Sequence, residues 1–143
     1  MKAGENYWAR QVEIQELAVT AWAALAEGKK EKALRQMKSA AELEDGTEKS
    51  AVSPGPLAPA RELLGEMLLQ ANEPAQALEQ FEATLKQEPG RLRALYGAAH
   101  SAQLSGSRDT SQRYFREVLK VCGRADKPGI FEIREAEQAI SRK

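Results

Sequence analysis

Apolar residues recur along this chain at intervals of three and four, with polar residues between them, the spacing of one face of a helix. In residues 6–27, Ile14, Leu17, Ala21 and Leu25 form one apolar stripe, and Trp8, Val12, Val19 and Trp22 form a second. Asn6 is placed to cap this helix and Gly28 to stop it. Two stripes on one helix mean burial on both sides, or one face awaiting a neighbour. Lys29–Leu43 predicts a second helix with Ala33, Met37, Ala40 and Ala41 inward. The segment Glu44–Leu57 then carries Gly46, Pro54, Gly55 and Pro56, and reads as an extended loop because proline fixes its own φ and restricts the residue before it.

Pro59 is suited to the first turn of a third helix over 59–71, where Leu63, Leu64, Met67 and Leu68 are apolar. Further helices are predicted over 74–87, 91–104 and 108–122, separated by Asn72-Glu73-Pro74, Pro89-Gly90 and Ser105-Gly106-Ser107. A last one starts at Asp126 or at Lys127-Pro128 and runs to about Ile140. Composition agrees: 24 alanines, 15 leucines and 18 glutamates stand against 13 Val, Ile and Thr together. The first three lose little rotamer freedom in a helix, whereas β-branched residues favour strands.

Short turns between successive helices raise the question of a repeat. Ala77 and Ser111, and Phe81 and Phe115, are each 34 residues apart. The unit from Ala58 carries Leu64-Gly65 in its first helix, Ala77 and Phe81 in its second, and Pro89 at its end. At these positions the chain resembles the tetratricopeptide repeat family, whose period is about 34 residues. Gly65 and Ala77 are the small residues that let paired helices approach, and Phe81 is the filler between one pair and the next. The unit from Leu92 keeps Leu95, Ala99 and Phe115, with Ser111 and Gly123 replacing the family's Ala and Pro. The unit from Ile14 keeps Leu17, Ala21, Ala33 and Ala40, with Met37 in the aromatic slot. Ala33 to Ala77 is 44 residues, so the loop at about 48–57 reads as a ten-residue insertion. The segment LAPARELLGEMLLQ also resembles the terminal region of larger bacterial repeat proteins of unassigned activity.

The resemblance implies an all-α, right-handed superhelix of three antiparallel helix pairs plus a C-terminal capping helix. It is read as a single domain over 1–143, with repeats at about 14–47, 58–91 and 92–125 and the cap at about 128–141. Glu132, Arg134, Glu135, Glu137 and Gln138 would give that cap a polar outer face. The implied function is a non-catalytic scaffold that binds a protein segment in a concave groove. By register the groove takes Gln15, Val19 and Trp22 from the first pair, Glu62, Glu66 and Gln70 from the second, and Arg93, Tyr96, His100 and Gln103 from the third. Trp22 and Tyr96 offer large contact area at low entropic cost, although for Trp22 packing against the neighbouring pair is the favoured reading. Family members that clamp a terminal carboxylate use basic and amide side chains where this chain has Ala18 and Trp22, so that role is not expected.

Tyr7, Trp8 and Val12 have no partner inside three repeats. They are expected to face an upstream repeat, a second copy of the chain, or the proline-rich loop folding back. A large exposed apolar patch in a monomer is otherwise rare. The alternative functions are therefore a terminal piece of a longer solenoid, a homodimerising module, or a helical pocket for a small ligand. The loop 48–57 is read as a connector in preference to a lid.

Twenty-one basic residues balance 21 acidic ones, so no net field attracts nucleic acid. The charge is uneven: residues 58–90 carry a net −4 and residues 91–127 a net +5. The basic segment, with Arg91, Arg93, Arg108, Arg113, Arg116 and Lys120, reads as a solvated or mutually paired surface ahead of an acidic-ligand surface. One histidine and one cysteine do not make a zinc site. His100 has no acid or nucleophile near it in sequence, Cys122 lies at a helix C-terminus where a thiolate is disfavoured, and the pair Glu62 and Glu66 reads as wet surface. Gly28-Lys29-Lys30 lacks the rest of a phosphate-binding loop. No enzyme, cofactor or metal is expected. The N-terminus has no secretory signal and no apolar run approaches a membrane span, so the expected location is cytoplasmic.

Overall fold

The computed structural model describes residues 3–47, 56–126 and 130–141. All regular structure in them is helical: α1 (Ala3–Ala26), α2 (Lys30–Asp45), α3 (Ala60–Gln70), α4 (Pro74–Gln87), α5 (Leu92–Leu104), α6 (Arg108–Val121) and α7 (Phe131–Ser141). The chain divides into two compact units, Met1–Met67 and Leu68–Lys143, with the division inside α3.

Most boundaries fall where the pattern of turn residues places them, with three corrections. α1 begins at Ala3, so Asn6 is a helical residue and not a cap; nothing between Ala3 and Asn6 breaks a helix strongly enough to delay the start. α2 runs two residues past Leu43 because no breaker precedes Gly46. α7 begins at Phe131, beyond the Asp126 to Pro128 start expected, with the Ile130 carbonyl accepting from the N–H groups of Ile133 and Arg134. It starts only after Gly129 in sequence, the residue type that loses most freedom on entering a helix. Residues 48–55, most of the insertion, and 127–129, with Pro128, lie outside the described residues.

Three turns share one geometry. Gly28, Asn72 and Gly106 have φ of 77°, 60° and 77°, the left-handed conformation that closes a helix. At each, the left-handed residue's N–H and the next N–H reach back to two carbonyls of the finished helix. Gly28 donates to Leu25 and Lys29 to Ala24, both at 2.9 Å. Asn72 donates to Leu69 at 3.0 Å and Glu73 to Leu68 at 2.9 Å. Gly106 donates to Gln103 at 3.1 Å and Ser107 to Ala102 at 2.8 Å. Asn72 does without glycine because a short polar side chain tolerates this region. The second turn follows the first by 44 residues, and the third follows the second by 34.

In the first unit, the inner face of α1 is Ile14, Ala18, Ala21 and Ala24, and that of α2 is Ala33, Met37, Ala40 and Ala41, all buried. Six of these eight are alanine, so the two helices pack close, with Met37 filling the seam. The expected inward residues of α2 are all found there. The first turn of α3 is held from a distance. Glu44 Oε2 accepts the Ala60 N–H at 2.7 Å, and Arg61 Nε donates to Asp45 Oδ2 at 2.7 Å. The acidic end of α2 thus caps α3 in place of a local residue, where negative charge meets the favourable end of the α3 dipole.

In the second unit α5 is the central helix, with Ala94, Leu95, Gly97, Ala98, Ala99, Ser101 and Ala102 buried. Phe81 of α4 and Phe115 of α6 are buried on it. Phe115 sits with Leu95, Ala99, Val118 and, from α7, Ala136. Phe81 lies directly over Gly97: a methyl group built on Gly97 would fall inside the space of the Phe81 ring. Tyr114 of α6 donates to Glu82 of α4 at 2.7 Å, and Arg113 stacks over the Tyr114 ring at 4.6 Å.

Gly97→Ala tests this contact with a change of sign. Helix propensity alone would stabilise the variant by about 1 kcal/mol. The clash with Phe81 is expected to win and destabilise by about 1–3 kcal/mol in denaturant unfolding. A second change, Phe81→Leu, is expected to recover part of the loss, because residues in contact do not act additively. A Gly97→Ala chain more stable than its parent would refute the contact.

Candidate functional site

The inner face of α1 is taken up by alanines, so its large side chains lie elsewhere. Trp8, Val12 and Val19 are 60%, 64% and 68% exposed, and Trp22 is half-buried. A groove of about 580 Å³ opens along this side of α1 within the first unit. Its α1 wall is Tyr7, Trp8, Gln11, Gln15, Val19 and Trp22, and the opposite wall is Pro56, Leu57, Ala58 and Leu63. Ile14, Ala18 and Ala60 contribute where it meets the core. The Tyr7 and Trp8 rings meet edge to face, with centroids 5.3 Å apart. Among the described residues Glu44 is the one charged side chain lining the groove, and one of its oxygens is committed to the Ala60 N–H.

Gln15, Val19 and Trp22, assigned to a ligand groove, and Tyr7 and Trp8, assigned to self-association, line one and the same groove. Val12 is exposed beside them on α1. For the other wall, the proline-rich segment folding back is one of the three alternatives for Tyr7 and Trp8, and Pro56 and Leu57 at its end take that place. Leu63 reads in sequence only as an apolar position of the third helix, and Gln11 on the α1 wall carries no signal. Trp22 contributes to this opening, whereas packing against a neighbouring pair was the favoured reading.

The remaining expected contacts separate. Glu62 is fully buried, so it is neither a groove contact nor wet surface. Ala60, Leu64, Met67 and Leu68 of the same helix are buried with it, so burial on α3 is not confined to its apolar positions. Glu66 is half-buried and Gln70 exposed. Arg93 and Gln103 of α5 are exposed. Tyr96 and His100 are covered in part by α7. The Tyr96 hydroxyl donates to Glu135 Oε2, and His100 Nδ1 lies 3.7 Å from Glu135 Oε1. The two rings stack at 5.9 Å, and Phe131 meets Tyr96 edge to face at 6.5 Å. The acid beside His100 was invisible in sequence because it comes from α7, far along the chain. A polar recess of about 400 Å³ lies next to these groups, lined by Gln103, Arg108, Gln112, Glu135 and Gln138 among others.

Among the described residues no three His, Cys, Asp or Glu side chains are grouped to hold a metal ion, and no helix is long and apolar enough to cross a membrane. Cys122 is half-buried and caps the C-terminus of α6.

Burial first, and then the hydrogen bond and negative charge of Glu82, push the Tyr114 hydroxyl up to about 12, with Arg113 opposing in small part. Tyr96 is raised for the same reasons, by burial and by Glu135. A folded chain that holds a phenolic proton more tightly than the unfolded chain is stabilised below the ordinary tyrosine value of 10.0. That contribution is lost as pH climbs from 10.0 through about 12. Denaturant unfolding across this window is expected to show falling stability. The fall should be shallower in a chain carrying Tyr96→Phe and Tyr114→Phe; equal slopes would reject these two groups as the cause.

A comparison of the chain with protein-family models and with curated proteins finds no match.

Proposed function

We propose that this protein is a tetratricopeptide-type scaffold that captures an apolar segment of another protein in the groove along α1, with no chemical step. The repeat reading is supported by the spacing of equivalent features. The left-handed residues Asn72 and Gly106 are 34 residues apart, and so are the fully buried Phe81 and Phe115 and the buried Ala77 and Ser111. The 44 residues between Gly28 and Asn72 fit the same period with ten residues inserted. On this reading the helix pairs continue as a right-handed superhelix with α7 as its cap.

The observation that carries the binding proposal is the groove itself. An aromatic and aliphatic wall with two glutamines and almost no charge is built for a ligand with apolar anchors and a few backbone hydrogen bonds. A mostly exposed tryptophan and two mostly exposed valines on one helix also favour a second reading, in which α1 pairs with the same helix of another copy.

Both tryptophans of the chain line this groove, so their fluorescence reports its occupancy directly. Peptides selected on the intact protein from a random library are expected to shift tryptophan emission to the blue. Val19→Glu, at an exposed position, is expected to weaken them by about tenfold or more. Binders that leave the emission and the Val19→Glu affinity unchanged would place recognition elsewhere. Light scattering decides the second reading: a concentration-dependent dimer should revert to monomer with Trp8→Ala, and an unchanged mass would exclude pairing through this helix.

A further inference from the structure

We propose that the face of α5 bearing Tyr96 and His100 is a second docking site, for an acidic amphipathic helix, and that α7 holds it as a tethered stand-in. It uses residues of the second unit alone, and either proposal can fail without the other.

The contacts of α7 show what the site accepts. An alanine, Ala136, enters the apolar cluster of Leu95, Ala99, Phe115 and Val118. Ala139 and Ile140, three and four residues on, complete an apolar stripe one helix face wide. One residue before Ala136, Glu135 brings a carboxylate to the Tyr96 hydroxyl. His100 Nδ1 is buried without a hydrogen bond and faces the same carboxylate at 3.7 Å. Arg108 of α6 lines the same recess as Glu135, the helices beneath are net basic, and the occupant is acidic. α5 and α6 hold five basic and two acidic residues, whereas α7 holds three glutamates and one arginine. Small anchors, a carboxylate and net negative charge together describe the partner: a helix in a groove, held by apolar spacing and steered by charge.

α7 is also the helix least committed to the unit. Ala136 is its one fully buried residue, against seven in α5. Phe131, at its first turn, is 61% exposed. An element with so few buried apolar contacts opens at lower free energy than the core it covers. A tether raises its local concentration, so it keeps the site filled until a competing helix arrives.

Hydrogen exchange on the intact protein is the first test. Amides of α7 are expected to exchange at least about tenfold faster than those of α5 and α6. Exchange of all three helices together would overturn the proposal. The second test uses Ala136→Asp, which places a charge in the apolar contact and leaves α5 and α6 unaltered. This variant should release α7 while α4–α6 stay protected. It should then bind a labelled peptide of residues 130–141 at least about tenfold more tightly than the parent does. The same peptide carrying Glu135→Lys should bind poorly, and salt should weaken the unaltered peptide. Loss of protection throughout the unit, or no peptide binding once α7 is free, would make α7 a structural cap and nothing more.

Discussion

Close helix packing through alanine governs where the large side chains of α1 and α2 lie. In the first unit Ala18, Ala21 and Ala24 face Ala33, Ala40 and Ala41. Such a seam gains dispersion energy from close backbones, and it leaves room for one long side chain, which Met37 occupies. Tryptophan does not fit between helices at that distance. The bulk of α1 is therefore displaced to the other side, where Trp8, Val19 and Trp22 wall the groove. The two faces of α1 are thus divided by size, with small residues in the core and large apolar ones at the groove.

The second unit solves the same problem differently. Gly97 makes a local hollow in α5, and Phe81 fills it. A ring on a glycine buries a large side chain without pushing the helices apart, so Phe81 goes inward, whereas Phe131 of α7 stays mostly exposed. Phe81 and Phe115 are core, and the half-buried Tyr96 and Tyr114 turn their hydroxyls to Glu135 and Glu82. Tyr114 ties α6 to α4, and Tyr96 ties α5 to α7. Buried hydroxyls need such partners, because an unpaired polar group away from water costs more than a made hydrogen bond contributes.

Short-range information explains what the sequence made legible. The helices follow from three- and four-residue apolar spacing, and the turns from Gly28, Asn72 and Gly106, whose effect is confined to a few residues. The inward set of α2 followed from its alanines. Long-range information was not available in the same way. Glu44 caps α3 across 16 residues, and Glu135 reaches His100 from another helix; no local pattern announces either. Glu62 shows the opposite failure. Glutamates four residues apart on a helix look like solvent, and only the surroundings of α3 show that one of them is buried. For the groove, one wall was readable because it is a single helical stripe. The other was readable only as one of three alternatives, since Pro56 and Leu57 reach it from a segment with no periodicity to fix its direction.

The two proposed sites also differ in what they would ask of a ligand. The described lining of the α1 groove carries one charged side chain, Glu44, so the ligand proposed for it would gain by removing apolar area from water and by satisfying Gln11 and Gln15. Such binding depends weakly on salt. The face of α5 is basic beneath and presents a hydroxyl and an imidazole to a carboxylate, so selection there is electrostatic as well as apolar. Apolar area supplies most of the affinity in the first case, and charge supplies register and discrimination in the second. On the two proposals above, the ligands would be told apart by chemistry, because what suits one site does not suit the other.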